Sequence, residues 1–329
     1  MKNNSFEEIY DKLKNSKNVL ISLHTSPDGD SLGSCVAMKH FLERDFNSNV
    51  RLVSGDEISS NLKDLEISQE VEFDVDISDL ALKGFDLIIV LDSAIPDRVG
   101  SYKKDYTFPE EVFILQIDHH EENRNFSPNM RYVDSSAVST CSILLNFFKD
   151  LGVKLDSKLI FCLGVGIITD SLFLTTNTSN KALTELNFLS DKGLDYFDLI
   201  KKTKLNLPLN VKKYLGMNLV NFEQYPDLQF GLSLISFDEI KDLGLNVSEI
   251  RWGVNELREI KGFDFVCNVV EFGDGWKGSF RSNHLDVSLM ANELGGGGHK
   301  AAAGFYLDHM SKEEVKKRIL DVVKKFSTQ

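Results

Sequence analysis

Three short apolar runs constrain this chain most: Val19-Leu20-Ile21-Ser22-Leu23, Leu87-Ile88-Ile89-Val90-Leu91, and Val112-Phe113-Ile114-Leu115-Gln116-Ile117. Each reads as a buried strand. Each also runs into carboxylates or imidazoles. The first leads into His24-Thr25-Ser26-Pro27-Asp28-Gly29-Asp30, the second ends on Asp92, and the third ends on Asp118-His119-His120. Strands alternating with helical stretches imply an α/β fold with a mostly parallel sheet. In such a sheet the strand ends share one edge, where ligands bind. That edge is the reason to group residues so distant in sequence.

Around these strands, apolar spacing predicts helices over 5–16, 31–45, 137–151 and 156–168, the last running out in Ile167-Ile168-Thr169-Asp170, and a strand over 49–54. Residues 55–75 are mixed and acidic and receive no assignment. Helical stretches at 179–191 and 194–222 follow, the second interrupted by Leu205-Asn206-Leu207-Pro208. The residue before proline disfavours the helical conformation, so this region reads as a connection. Beyond it the pattern predicts a strand at 230–235, helices near 237–243 and 247–259, and strands near 263–271 and 276–282. A helix over Leu285–Leu294 then runs into the glycine-rich Gly295–Gly304 segment. A strand at 304–307 and an amphipathic helix over 311–326 close the chain. The expected organisation is an N-terminal domain over 1–192, a helical linker over 193–222 and a smaller α/β domain over 223–329.

A length of 329 residues suits roughly two domains. With 42% hydrophobic and 26% charged residues, the profile is that of a soluble globular protein. No apolar run approaches the roughly 20 residues that span a bilayer, and the N-terminus lacks the apolar segment of a secretory signal. The four cysteines, Cys35, Cys141, Cys162 and Cys267, are scattered in apolar surroundings without a CxxC pair. They read as buried thiols of a cytoplasmic protein, which argues against a cysteine-built zinc site. The net charge of -13 argues against a grip on long duplex nucleic acid. It leaves room for a short phosphorylated ligand in a local basic or metal-charged pocket.

Pro27 and Gly29 permit a tight bend that aims His24, Asp28 and Asp30 at a common point. One imidazole and two carboxylates suit a hard or borderline divalent cation. The plainer alternative is a polar turn with Ser31 as helix cap. Asp92 could likewise cap the turn that follows it. Asp170 stands at the negative end of a helix dipole, an unfavourable place without a nearby cation. Together His24, Asp28, Asp30, Asp92, His119 and Asp170 supply two nitrogens and four carboxylates, enough for two cations. A pair roughly 3.5–4 Å apart suits in-line displacement at phosphorus. Mixed imidazole and carboxylate donors fit Mn²⁺, with Mg²⁺, Co²⁺ or Fe²⁺ as alternatives.

The ordered set His24-xxx-Asp28-x-Asp30, Asp92, Asp118-His119-His120 and Thr169-Asp170 resembles the motifs of the DHH phosphoesterase superfamily. The Gly295–Gly304 run resembles the signature of the DHH-associated C-terminal domain. The arrangement is most similar to small nanoRNases with 3′-phosphoadenosine 5′-phosphate (pAp) phosphatase activity, and to phosphodiesterases acting on cyclic di-AMP or its linear product pApA. The resemblance implies that His24, Asp28 and Asp92 bind one metal. Asp30, Asp92, His119 and Asp170 would bind the other, with Asp92 bridging. It implies that His120 sits beside the scissile phosphate and that Asp118 holds the histidines. In the C-terminal domain it implies that Gly298 and His299 hold a substrate phosphate and that Arg281 and Ser282 contact a terminal phosphate or the nucleotide. His284, Lys300 and Arg98 are weaker candidates, while His40 reads as structural and His309 as a surface residue. Two departures stand out. Ser171-Leu172-Phe173-Leu174 lacks the glycine that often follows the Thr-Asp motif, and Ser142 stands where glutamate is frequent.

The expectation is a hydrolase with its active site in an interdomain cleft, cutting very short nucleotides to mononucleotides. Its partner is a short nucleotide (pApA, cyclic di-AMP, short RNA or pAp), with no long duplex and no membrane; a homodimer is an assembly the sequence admits. The alternatives are pAp phosphatase as the main activity, or a nucleotide-sensing module without turnover.

Overall fold

The computed structural model describes residues 2–93, 99, 107–120, 126–176 and 178–327, with the side chains of His299 and Ser327 left aside; Arg98 lies outside these residues. Helix α1 (Phe6–Lys14) starts on a capping box in which Ser5 and Glu8 satisfy each other's backbone. The elements β1 (Asn18–Ser22), α2 (Gly29–Phe46), β2 (Asn49–Val53) and the single turn α3 (Ser60–Lys63) follow. Then come β3 (Leu87–Leu91), β4 (Ile114–Asp118) and β5 (Met130–Val133), and four helices: α4 (Thr140–Asp150), α5 (Ser157–Asp170), α6 (Ser179–Asp191) and α7 (Tyr196–Thr203).

The first sheet has the order β2-β1-β3-β4-β5 and every pairing is parallel. Both of its faces are covered, as the unbroken apolar runs require. Val19, Ile21, Leu87, Ile89 and Leu91 enter the core shared with α2, α4 and α5. Leu20, Ile88, Val90 and Ile114 face a second apolar cluster on the other side. The strand order reverses direction between β1 and β3, and a crevice opens at such a switch point beyond the carboxyl ends of the strands.

The second set comprises α8 (Leu209–Val220), β6 (Phe222–Tyr225), β7 (Phe230–Ile235), α9 (Phe237–Ile240), α10 (Val247–Arg258), β8 (Phe265–Phe272) and β9 (Gly275–Ser282), then α11 (Ser288–Glu293), β10 (Gly297–His299), β11 (Ala302–Asp308) and α12 (Lys312–Ser327). Its sheet is mixed, in the order β10-β11-β9-β8-β7-β6, and only β7 and β8 run parallel.

Two compact units result, Met1–Asn206 and Leu207–Gln329. The stretch expected to link them, 193–222, is divided between the two cores. Helix α7 joins the first, where Leu199 is buried and Asn61 Nδ2 donates to the Thr203 carbonyl (2.6 Å). Helix α8 joins the second, where the buried Tyr214 hydroxyl lies 2.9 Å from Asn268 Oδ1 and 3.0 Å from the Ile250 carbonyl.

The remaining differences from the sequence expectations are local. Strands β5 and β6 went unforeseen because each is four residues long at a sheet edge, where half of the side chains face outward. Residues 60–63 form one helical turn and 66–70 a 3₁₀ turn, too short for periodicity to show. The helix expected from Leu285 begins at Ser288, because the Asp286 carboxylate accepts from the Ser288 amide and hydroxyl to make a turn. Ser31 does not cap α2. Asp28 does, its Oδ1 accepting from the Ser31 amide (3.2 Å), since the helix already begins at Gly29. All four cysteines are buried and unbridged. No helix among the described residues is long and apolar enough to cross a membrane.

Candidate metal centre and nucleotide site

Helix α2 is buried continuously from Gly29 to Met38, as a helix wedged between a sheet and other helices must be. Its neighbour α5 approaches so closely that glycine is needed at the contact. A Cβ at Gly29 would strike the Thr169 side chain, one at Gly33 the Cys162 carbonyl, and one at Gly166 both Cys141 Sγ and Asp30 Oδ1. This approach brings Asp30, at the start of α2, to Asp170, at the end of α5. Gly166→Ala is therefore expected to lower stability by about 1–3 kcal/mol through overpacking and to weaken cation binding by displacing Asp30. Urea unfolding and a Mn²⁺ titration check the two effects.

Six side chains converge beyond the ends of β1, β3 and β4. His24 Nε2 lies 3.3 Å from Asp92 Oδ2 and 3.6 Å from Asp28 Oδ1. His119 Nε2 lies 3.4 Å from Asp92 Oδ1 and 3.4 Å from Asp170 Oδ2. The two oxygens of Asp92 thus face opposite ways, one toward His24 and one toward His119. Among the described residues, three groupings place their ligand atoms within 4.8 Å of one another: His24, Asp28 and Asp92; Asp30, His119 and Asp170; and Asp92, His119 and His120. Asp92 adopts a left-handed conformation at φ 57°, which aspartate tolerates better than most side chains but which is still a local cost.

The surroundings aim these groups. His24 Nδ1 lies 2.9 Å from the Thr25 carbonyl, which holds the proton on that nitrogen and turns Nε2 toward the carboxylates. Ser26, also left-handed, donates its amide to Asp56 (2.6 Å) and pins the loop. Asp30 accepts from two backbone amides at the start of α4, Thr140 (2.6 Å) and Cys141 (2.9 Å). The Thr140 hydroxyl donates to Asp92 Oδ1 (3.2 Å). Asp118 is fully buried and accepts from His120 Nδ1 (2.7 Å); among the described residues its Oδ2 has no hydrogen-bond partner.

The electrostatics of the cluster follow from burial and from the charges its members impose on one another. Burial and the neighbouring Asp92 charge push the Asp30 carboxyl up to about 7. Burial likewise holds Asp170 well above the ordinary range, opposed by the charge of His119. Burial alone would raise Asp92 too, but hydrogen bonds from His119 and His24 outweigh it and hold that carboxyl well below. His119 is pulled down by burial and, more strongly, pushed up by Asp170 and Asp92. Three carboxylates held this close, Asp30 and Asp92 buried and Asp170 half-buried, repel one another unless protons or cations intervene. The donor set, hard oxygens with imidazole nitrogens, suits divalent metals.

The structure thus brings together His24, Asp28, Asp30, Asp92, His119, His120, Asp118 and Asp170. The other expected residues lie in the second unit. Arg281, at the end of β9, donates through Nε to Asn255 Oδ1 (3.1 Å) and through Nη1 to the Phe280 carbonyl (2.9 Å). The Ser282 hydroxyl is committed inside the domain, accepting from the His284 and Leu285 amides. The glycine run is not a loop throughout, because Gly297–His299 pairs antiparallel with β11. Gly298 has φ 143°, and a Cβ there would meet Ala303 Cα at 2.6 Å, so only glycine fits. His40 forms a structural pair with Asp156 (2.8 Å), and His309 is exposed.

Both departures from the family pattern have a structural answer. Without glycine, Leu172, Phe173 and Leu174 take the left-handed turn themselves, at φ 47°, 57° and 66°. Where glutamate is frequent, Ser142 donates instead to Glu185 of α6 (2.5 Å). Sequence reasoning missed Thr140 and Asn255, since a threonine after a helix cap and an asparagine on a helix face carry no local signal of what they touch.

Residues 18–167 match the DHH family, N-terminal domain, and residues 234–329 match the DHHA1 domain. With these two domains and its relatives the chain is a phosphoester hydrolase of the DHH and DHHA1 domain type. It is 26% identical over 314 residues to the bifunctional oligoribonuclease and PAP phosphatase NrnA of Thermus thermophilus, covering 94% of this chain and 90% of that protein. It is 28% identical over 320 residues to an uncharacterized protein of Mycoplasma genitalium, covering 90% and 89% of the two chains. Among solved structures, an exopolyphosphatase-related protein from Bacteroides fragilis superposes with a TM-score of 0.86 at 23% identity, over 98% of this chain and 96% of that one, a likeness of fold.

Proposed function

We propose that this protein hydrolyses very short oligonucleotides such as pApA, cyclic di-AMP or short RNA to mononucleotides, with two divalent cations in its first unit and Mn²⁺ as the favoured ion. The observation that carries this reading is Asp92, whose two carboxylate oxygens face His24 on one side and His119 on the other. His24, Asp28 and Asp92 form one half of the centre, and Asp30, Asp92, His119 and Asp170 the other. Bound divalent ions would neutralise phosphate charge and make water a nucleophile at neutral pH. His120, braced through Nδ1 by Asp118, keeps Nε2 as the nitrogen that can meet the leaving oxygen and share a proton with it. The relative named as oligoribonuclease and PAP phosphatase supports the substrate class.

Arg281, with the backbone of Gly298 and His299, is the phosphate-holding group of the second unit in this reading. The guanidinium suits this through its planar fork. Ser282 serves indirectly, by shaping the turn after Arg281. Arg281→Ala is expected to raise KM for pApA about tenfold while changing kcat little, because the residue binds substrate away from the reacting atoms. Steady-state kinetics check this, and an unchanged KM would count against the role.

Product release from pApA with Mn²⁺ supplied tests the whole reading. Wild-type protein that binds nucleotide but releases no AMP would make it a sensor rather than an enzyme. Kinetics on pApA, cyclic di-AMP, short RNA and pAp, run side by side, rank the substrates.

A further inference from the structure

We propose that Lys204, held over the ring of Phe173 at the end of α7, is a substrate-binding residue of the first unit that meets a phosphate next to the one being cleaved. The inference rests on the function proposed above and deepens it by adding a phosphate contact in the unit that carries the metal centre.

Two independent ties bring the end of α7 to segments beside the centre. One is the turn after Asp170. Phe173 follows that carboxylate by three residues, and its amide donates back to the Ile168 carbonyl (2.8 Å), so the turn folds against the helix end that carries Asp170. The Lys204 ammonium lies 4.8 Å from the centre of the Phe173 ring. The other tie is α3. Asn61 Nδ2 donates to the carbonyl of Thr203, the residue before Lys204 (2.6 Å). The loop entering α3 carries Asp56, which accepts from the amide of Ser26, between His24 and Asp28 (2.6 Å). Lys204 thus stands where the Asp170 turn and the segment behind the His24 motif reach the same helix end.

The charge of this lysine is kept for a ligand. Lys202, two residues earlier, pairs with Asp198 (2.5 Å), and Lys158 and Lys39 both reach Glu70. Lys204 is half-buried and has no carboxylate partner among the described residues. An aromatic face attracts an ammonium without neutralising it. In a chain of net charge -13, an ammonium steadied in this way presents a fixed positive charge beside a metal centre. Phe173 itself sits in a left-handed conformation at φ 57°, a local cost that its part in seating the lysine accounts for. A compact ammonium suits phosphate as a point charge. The scissile phosphate belongs to the cation pair, so the lysine, a turn removed from Asp170, meets the neighbouring phosphate of the same strand.

The test uses wild type, Lys204→Met and Lys204→Arg with Mn²⁺ supplied. Methionine keeps the stem over the ring and removes the charge, and thermal melting verifies that both variants are folded. KM is measured for pApA and pApApA from about 50 to 300 mM salt, a range in which phosphate contacts register. The inhibition constant of ApA, whose only phosphate is the one cleaved, is measured alongside. In Lys204→Met, KM for both substrates should rise about fivefold at the lowest salt, and the slope of log KM against log salt should fall by about 0.7, the share of one phosphate in a single strand. The value of kcat should stay within about twofold, and inhibition by ApA should be nearly unmoved. Lys204→Arg should recover KM and slope, since it keeps the charge. Calorimetric Mn²⁺ titration of Lys204→Met should match wild type. Wild-type KM and salt slope in Lys204→Met would make the lysine a packing residue and overturn the inference, leaving the proposed function standing. So would an equal weakening of ApA, or a loss of Mn²⁺ binding. Wild type that cleaves neither pApA nor pApApA would bring down the proposed function and this inference together.

Discussion

Asp92→Ala is expected to abolish hydrolysis, lowering kcat/KM by at least about a thousandfold, the scale on which losing a single electrostatic anchor in an active site is felt. The reason is topological. Asp92 follows β3, the central strand at the switch point, and its two oxygens face the two halves of the cluster. Every other candidate ligand can be lost from one half alone. Removing Asp92 also takes one carboxylate partner from each of His24 and His119 and the acceptor of the Thr140 hydroxyl. Calorimetric titration of Mn²⁺ should show both binding events weakened in Asp92→Ala. In Asp28→Ala, which lies only on the His24 side, one of them should persist. Near-normal turnover in Asp92→Ala would contradict the assignment.

The second large effect is on stability. At a free Mn²⁺ concentration one hundred times its dissociation constant, binding adds about 2.7 kcal/mol to the folded state. For a unit of this size that corresponds to a rise of roughly 5–10 °C in the melting temperature of the first transition. Its pH dependence is specific. Asp30 titrates at about 7 in the folded chain, and Asp170 and His119 are shifted in the same upward direction. The folded, metal-free protein thus holds protons that the unfolded chain has released, and it loses stability as pH rises from the ordinary carboxylate range through 7. Asp92 moves the other way, and its contribution is lost only in acid. Divalent ions displace the same protons, so the Mn²⁺ increment should grow between pH 6 and pH 8. Differential scanning calorimetry with and without Mn²⁺ at the two pH values measures this. A metal-free melting temperature that rises from pH 6 to pH 8, with an equal Mn²⁺ increment at both, would show that these carboxylates do not share a cation site.

The N-terminal unit was legible because its strands are apolar on both faces, as a parallel sheet between helices must be. Their endings in His24, Asp92 and Asp118 mark the candidate metal edge in the sequence itself. The second unit was readable in its long elements and less so at its margins. Strand β10 is three residues of a glycine run, and nothing in Gly297-Gly298-His299 distinguishes a strand from a flexible loop until Ala302–Gly304 is seen beside it. The alternative in which Ser31 caps α2 fails for a related reason. Asp28 and Ser31 are both good caps, and only the backbone at Asp28, extended at φ -118°, decides which one ends the turn.

By itself, the sequence determined the kinds of donor, their order along the chain and the strands that carry them, because residue chemistry and two-residue or helical periodicity are local properties. Only the tertiary structure decided which oxygen of Asp92 faces which histidine, that α4 offers two amides to Asp30, and that Asn255 steadies Arg281. Those relations depend on how closely α2 can approach α5 and α10 can approach β9. Such distances are set by packing among residues more than a hundred positions apart in the first case and about 25 in the second, and no short window of sequence contains both partners.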